Sequence, residues 1–290
     1  MKKFLILIPV YNDWQSLTIL LENINNEIEK LNHNISIIIV DDASTFDRQL
    51  DIENISNIKS IKILSMRENL GHARCIATGL KYIFEKDEFD YVIPMDGDGE
   101  DRPEEIKEFI KSTEINPELT IVGERVKRSE AFIFKFCYFF HKIITLVFTG
   151  HLIKFGNFTC IPKSTVNKMI NEKATWNSFS GSLTKVEKRN ISISSIRGKR
   201  YFGHSKMSFR NLLKHSLSII SVFRKTVLIR SALFIIFYIL MIKSNASIIT
   251  ALPLILLLIM IYSISSLALR ENMDEFDKAL SKIVNIEKLK

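Results

Sequence analysis

Cysteine is scarce in this chain: Cys75, Cys137 and Cys160 are odd in number, far apart and never in a C-x-x-C pair. That excludes a disulfide framework and a cysteine-held zinc site, and it suits a reducing compartment. Glycine and proline are also few, ten and six in 290 residues, which excludes collagen-like and linker-dominated chains. Hydrophobic residues at 47% and charged residues at 25% exclude intrinsic disorder. MKKFLILIPV meets Asn12-Asp13 almost at once, so its short run reads as a buried strand rather than a secretory signal. The histidines show no ligand spacing, and Ser180-Gly181-Ser182 has no histidine–aspartate pattern behind it, so histidine-metal and hydrolase chemistry are unsupported.

Acid is what the stretch from Lys185 to Arg230 lacks. Twelve Lys or Arg stand there against Glu187 alone, giving +11 where the whole chain carries +8, so the remainder is slightly acidic. Such a block invites a nucleic-acid reading. It runs directly into the most hydrophobic part of the protein, however, so phosphate on a membrane surface or on a nucleotide is the better partner.

The first 125 residues alternate strand and helix patterns. Phe4–Ile8, Ile35–Val40, Ile61–Leu64, Tyr91–Met95 and Thr120–Gly123 are short, apolar and rich in β-branched residues, as buried strands are. Helix periods fill Trp14–Leu31, Gly71–Glu85 and Pro103–Ser112, the last opening on proline. This order predicts a mostly parallel sheet covered on both faces, with ligands beyond the carboxyl ends of the strands.

From Ala131 the pattern changes. Residues 131–148 are nearly all apolar, with Lys135, Tyr138, Lys142, Thr145 and Thr149 recurring three or four apart, which predicts a helix in a membrane interface. A similar pattern marks residues 207–225. Val227–Ile242 and Ile248–Leu269 then read as a transmembrane hairpin with a five-residue link, Arg230 near the start of the first span reaching for headgroups. The 22 residues of the second span give about 33 Å of helix at ~1.5 Å per residue. Lys and Arg flank the hairpin on the domain side, so the positive-inside rule places both the domain (1–225) and the tail (271–290) in the cytoplasm, on the inner membrane.

Asp96-Gly97-Asp98 follows the fourth predicted strand directly. Two carboxylates one residue apart, with Gly97 allowing close backbone approach, suit a hard divalent ion held against a diphosphate, and Glu100 is in reach to add an oxygen. Asp41-Asp42 ends the second strand and Pro9-Val10-Tyr11-Asn12-Asp13 the first, so three polar strand ends face one crevice. Arg125, after the fifth strand, brings a guanidinium suited to phosphate to the same edge.

IPVYND, VDDAS, RENLGHARCIATGL, MDGDGEDRPEEI and VGER together resemble the ordered signature of family-2 glycosyltransferases, whose nucleotide-sugar-binding A-type fold is Rossmann-like. FGNFTCIP and RYFGHSK resemble later motifs of the branch that glycosylates polyprenyl phosphates, and the two spans match its bacterial members. The resemblance implies that Pro9, Tyr11, Asp13, Val40 and Asp42 cradle the nucleoside. It implies that Asp96, Asp98 and Glu100 hold Mg2+ or Mn2+ with the diphosphate, and that Arg125, Arg200 and Lys206 close over the donor phosphates. Lys135 falls where a basic residue of the interfacial helix meets the acceptor phosphate.

The chain departs from the family pattern at several of these positions. Asp13 stands for the usual Glu, Glu100 for Gln, Arg102 for a common Pro and His204 for a common Glu. Asn157 stands where many relatives have Asp. A phosphate acceptor, with a second pKa near ~6, is already ionised and needs no base, so Asn157 counts against a hydroxyl acceptor and positions the phosphate instead. The resulting expectation is a metal-dependent, inverting transfer of sugar from a nucleotide-sugar to a polyprenyl phosphate, with membrane lipids as surroundings, no nucleic-acid partner and self-association open. Two alternatives remain: transfer to a glycan or lipopolysaccharide hydroxyl, with Asp101 or Glu100 as base, and a non-catalytic membrane scaffold of the same fold.

Overall fold

The computed structural model describes residues 1–127, 142–203 and 208–290. Lys135, Tyr138, His204, Lys206 and most of the first interfacial segment lie outside the described residues.

Among the described residues, eight strands form one mixed sheet: β1 (Lys3–Val10), β2 (Asn34–Asp41), β3 (Ile61–Met66), β4 (Tyr91–Pro94), β5 (Thr120–Lys127), β6 (Phe155–Pro162), β7 (Asn190–Ile196) and β8 (Ile283–Lys288), in the order β7-β5-β6-β4-β1-β2-β3-β8. β3, β2, β1 and β4 run parallel, while β6 and β8 are antiparallel to their neighbours. β1 lies between β2 and β4, so the chain leaves it on opposite sides. That reversal opens a crevice beyond Val10 and Met95, the place where such sheets bind ligands.

Alternation along β1 and β2 explains the two layers of core. Ile6, Ile8, Ile37 and Ile39 pack with α1 (Trp14–Glu27) and α3 (Ile106–Ile115). Leu5, Leu7, Ile38 and Val40 face the opposite way, toward α2 (His72–Lys86). Gly79 lets α2 approach closely, since a Cβ there would collide with Leu7. α5 (Lys163–Ile170) and α6 (Phe179–Val186) complete that layer.

A helical stretch over residues 142–149 (α4) turns Thr145 and Thr149 inward and leaves Ile143, Leu146 and Val147 exposed. Of the polar stripe, Thr145 and Thr149 therefore face protein, while the apolar side of this described stretch faces out. α7 (Phe209–Ser221) leads into two helices long and apolar enough to cross a membrane, α8 (Arg224–Ile242) and α9 (Ile248–Ala268). Ile220, Val227 and Ile264 form the seam between α7, α8 and α9, with Ile144 and Phe148 against it. Arg230 does not reach away from the protein. Its Nη1 donates to the Val147 carbonyl at 2.7 Å and the Leu146 carbonyl at 3.3 Å, so it caps the carboxyl end of α4.

Residues 271–290, expected as a tail, are part of the domain. α10 (Met273–Asp277) puts Phe276 at 0% exposure, stacked on Trp176 at 5.4 Å, and β8 pairs antiparallel with β3. Arg48–Glu287, Lys81–Asp277 and Lys282–Glu68 ion pairs fasten it further.

Candidate active site

Beyond β1, Asn12 adopts φ 50°, and its Oδ1 accepts the backbone N–H groups of Thr45 (2.8 Å) and Phe46 (3.0 Å). This ties the loop after β2 to the end of β1 and leaves Tyr11 exposed on the crevice rim. Pro9 is buried above Gly97, where a Cβ would stand 3.3 Å from the Pro9 carbonyl. Two nucleoside positions implied by resemblance take other work. Val40 is wholly buried under α2 and presents no side chain to a ligand. Asp42 accepts from the N–H groups of Leu70 (2.7 Å) and Gly71 (2.9 Å), bracing the loop that opens α2. Burial raises its pKa, against these hydrogen bonds.

The acidic loop beyond β4 is held from within. Asp101, 5% exposed, accepts the Asp96 N–H at 2.9 Å and lies 3.9 Å from Arg125, which stands inside β5 rather than after it. Burial, then the charge of Asp96, pushes the Asp101 carboxyl up to about 8. Burial and Asp96 likewise raise Asp98 to about 6. Burial works against Asp96 as well, but His72, Arg125 and Arg197 outweigh it and hold its pKa low.

Residues 197–203 lie across this loop as a strap. Gly198 N–H donates to the Glu100 carbonyl (2.8 Å) and Tyr201 N–H to the Asp98 carbonyl (3.0 Å). The Tyr201 ring covers Gly99, which sits at φ 88° with no room for a Cβ. Arg200 joins Asp98 (2.5 Å) to Asp13 (2.6 Å), and Arg197 pairs with Glu100.

Of the ligand set implied by resemblance, Glu100 is engaged by an arginine in this arrangement. Among the described residues no group of three acid, histidine or cysteine side chains is placed to hold a metal. Asp96 and Asp98 remain. The charge balance still fits a divalent ion: among the described residues, Asp13, Asp96, Asp98, Glu100 and Asp101 face the guanidinia of Arg125, Arg197 and Arg200. The excess is negative even with Asp101 protonated, and a diphosphate would add to it. Magnesium-type ions need only one or two carboxylates when substrate phosphates supply the other oxygens.

His72 was not singled out by spacing. It is the first residue of α2, after Gly71 at φ 87°, and its Nε2 lies 3.3 Å from Asp96 and 2.7 Å from Asn157 Nδ2. Asn157 Nδ2 is also 3.5 Å from Asp96 Oδ1. The β6 asparagine, the α2 histidine and the β4-end aspartate thus meet at one point. A histidine following a glycine at a helix start beyond a strand was the available signal.

The description "Glycosyl transferase family 2" matches residues 5–178, more than half of the chain. The chain belongs to that family. The solved structures similar to this family-2 glycosyltransferase show the A-type fold. A mannosyltransferase from Pyrobaculum calidifontis, in complex with GDP-Man and Mn2+, has a TM-score of 0.53 at 14% identity over 97% of this chain and 86% of its own. Glucosyl-3-phosphoglycerate synthase from Mycobacterium tuberculosis, with Mn2+, UDP and glucosyl-3-phosphoglycerate, has a TM-score of 0.55 at 12% identity over 78% and 80%. Among curated relatives, the undecaprenyl-phosphate 4-deoxy-4-formamido-L-arabinose transferase of Proteus mirabilis is 26% identical over 73% of this chain. Its namesake in Photorhabdus laumondii is 27% identical over 73%. The chain spans 64% and 65% of the length of these two relatives.

Proposed function

We propose that this family-2 glycosyltransferase moves a sugar from a nucleotide-sugar to a polyprenyl phosphate at the cytoplasmic face of the inner membrane, with inversion. The observation that carries this reading is one of placement: the Asp96–Asp98 loop lies at the sheet's switch point in the same domain that returns, through β8, from an apolar hairpin with its surface exposed. The names of the curated relatives support the acceptor class.

Tyr11 and Asp13 border the nucleoside side of the crevice, and Asp96 and Asp98 would hold a magnesium or manganese ion with the donor diphosphate. Bound there, such an ion offsets the charge that develops on the leaving nucleoside diphosphate. Arg200 exchanges its partners Asp13 and Asp98 for donor phosphate oxygens, which frees Asp98. Arg125 adds positive charge from β5. Lys206 and Lys135, assigned by resemblance to donor and acceptor phosphates, are parts of this proposal beyond the described residues. A phosphate oxygen of the acceptor attacks the anomeric carbon as the bond to the diphosphate breaks. No base is required, because a phosphate monoester is ionised above about pH 6. The base candidates for a hydroxyl acceptor are both engaged, Asp101 with the Asp96 N–H and Glu100 with Arg197.

Membranes containing the full chain, incubated with a panel of labelled nucleotide-sugars and undecaprenyl phosphate, test the proposal. Label entering the lipid fraction only with undecaprenyl phosphate and a divalent ion is expected. Label entering glycan in its absence would favour the hydroxyl reading.

A further inference from the structure

The second apolar helix ends beside the first turn of α2. α9 closes at Ala268, and Arg270 follows as the chain turns toward α10. Five residues after Arg270, Glu275 pairs with Arg74 at 3.2 Å, which fixes the exit of the hairpin against the first turn of α2, the turn that carries His72.

Cations collect at this junction. Arg74 lies over the Trp176 ring at 5.0 Å, and its Nε is buried without a hydrogen-bond partner. Arg270 is partly buried and neighbours Arg74, and no acid among the described residues pairs with it. Burial and the like charge of Arg74 both lower its pKa. Arg67, exposed at the carboxyl end of β3, donates its N–H to the Lys282 carbonyl at 2.8 Å. Lys282 itself takes Glu68 at 2.9 Å. Four cations thus stand against Glu68 and Glu275, while the neighbouring Glu271 feels Lys185 and Lys173 instead.

We propose that Arg270, with Arg74 and Arg67, binds the phosphate group of a membrane lipid. The inference rests on the membrane seating proposed above and refines it. The end of β3 and the start of α2 share the sheet edge that holds Asp96, and Leu269, next to Arg270, is 76% exposed where an apolar helix ends. Headgroup phosphates lie at the depth where a spanning helix leaves hydrocarbon. A half-buried guanidinium without an acid partner among the described residues favours an arriving anion, and phosphate accepts its forked donors. Two lipids carry this chemistry, the acceptor and the bulk phospholipid.

Binding of a short-chain polyprenyl phosphate, of phosphatidylglycerol and of inorganic phosphate to the detergent-solubilised full chain separates them. Arg270→Gln should weaken lipid-phosphate binding about tenfold or more, the scale of a charge-assisted contact. Arg270→Lys should lose less, and Arg67→Gln, at an exposed position, should lose a few-fold without disturbing the fold. Tighter binding of polyprenyl phosphate assigns the site to the acceptor, and equal binding of phosphatidylglycerol assigns it to the bilayer. Unchanged lipid binding by Arg270→Gln, or inorganic phosphate binding as tightly as either lipid, would overturn the proposal. Donor binding with Mn2+ is the separate control, because its absence would sink the glycosyltransferase reading and leave the lipid site standing.

Discussion

Asp98 and Asp101 stand three residues apart and hold their protons for related reasons, burial and the charge of Asp96, yet they do different work. Asp98 has to be ionised to take a metal. Apparent metal affinity should therefore fall as pH drops through about 6 and level off above it, as titration of Mn2+ against bound nucleotide would show. Asp98→Asn should cost on the order of 10²-fold in turnover with folding intact. Full turnover with unchanged metal dependence would mean the site is misassigned. Asp101 is structural. Its folded pKa, about 8, lies above the ordinary 3.8, so the folded state keeps a proton that the unfolded chain releases, and stability is lost as pH rises through that window. Asp101→Asn keeps an oxygen for the Asp96 N–H and removes the titration. Its melting temperature should fall less than wild type's between pH 5 and pH 9. Asn157→Asp would set a second carboxylate about 3.5 Å from Asp96, so transfer to a lipid phosphate should slow. Faster transfer to a glycan acceptor would instead favour the hydroxyl reading. The acid pair was legible because it directly follows an apolar strand. Asp42 and Glu100 were not, because a carboxylate that braces a loop or meets an arginine reads the same in sequence as one that waits for a ligand.

At the scale of elements, α2 joins more of the molecule than any motif announced. Its amino end is held by Asp42, its side packs on β1 through Gly79, and another flank meets α10 through Arg74–Glu275 and Lys81–Asp277. Phe276 closes this contact on Trp176, so Phe276→Ala should cost about 3–5 kcal/mol in denaturant unfolding, as large buried aromatics do. A loss below 1 kcal/mol would mean that α10 is not part of the cooperative fold. The central strands were legible from apolar β-branched runs buried on both faces. β7 was not: N-I-S-I-S-S-I is a half-exposed edge strand with little apolar weight. β8 lies more than 200 residues from its partner β3 and behind two apolar helices, and no local pattern carries a pairing over that separation.

For the whole molecule, β8 fixes the geometry. The chain enters the hairpin from α7 and returns from it to the sheet, so both feet of the hairpin stand on the domain side and the Lys243–Ser247 link lies at the far end. The end of α9 and the cation junction then meet the first turn of α2, whose His72 reaches Asp96 at the crevice edge. A crevice so placed suits an acceptor delivered by the bilayer, with its phosphate as the reacting group. Phosphorus NMR of the lipid recovered after reaction tests this claim most directly. The phosphate monoester signal of undecaprenyl phosphate should be replaced by that of a phosphodiester, with the anomeric configuration of the donor inverted. A phosphate monoester that stays unchanged while sugar is transferred to a hydroxyl would contradict it.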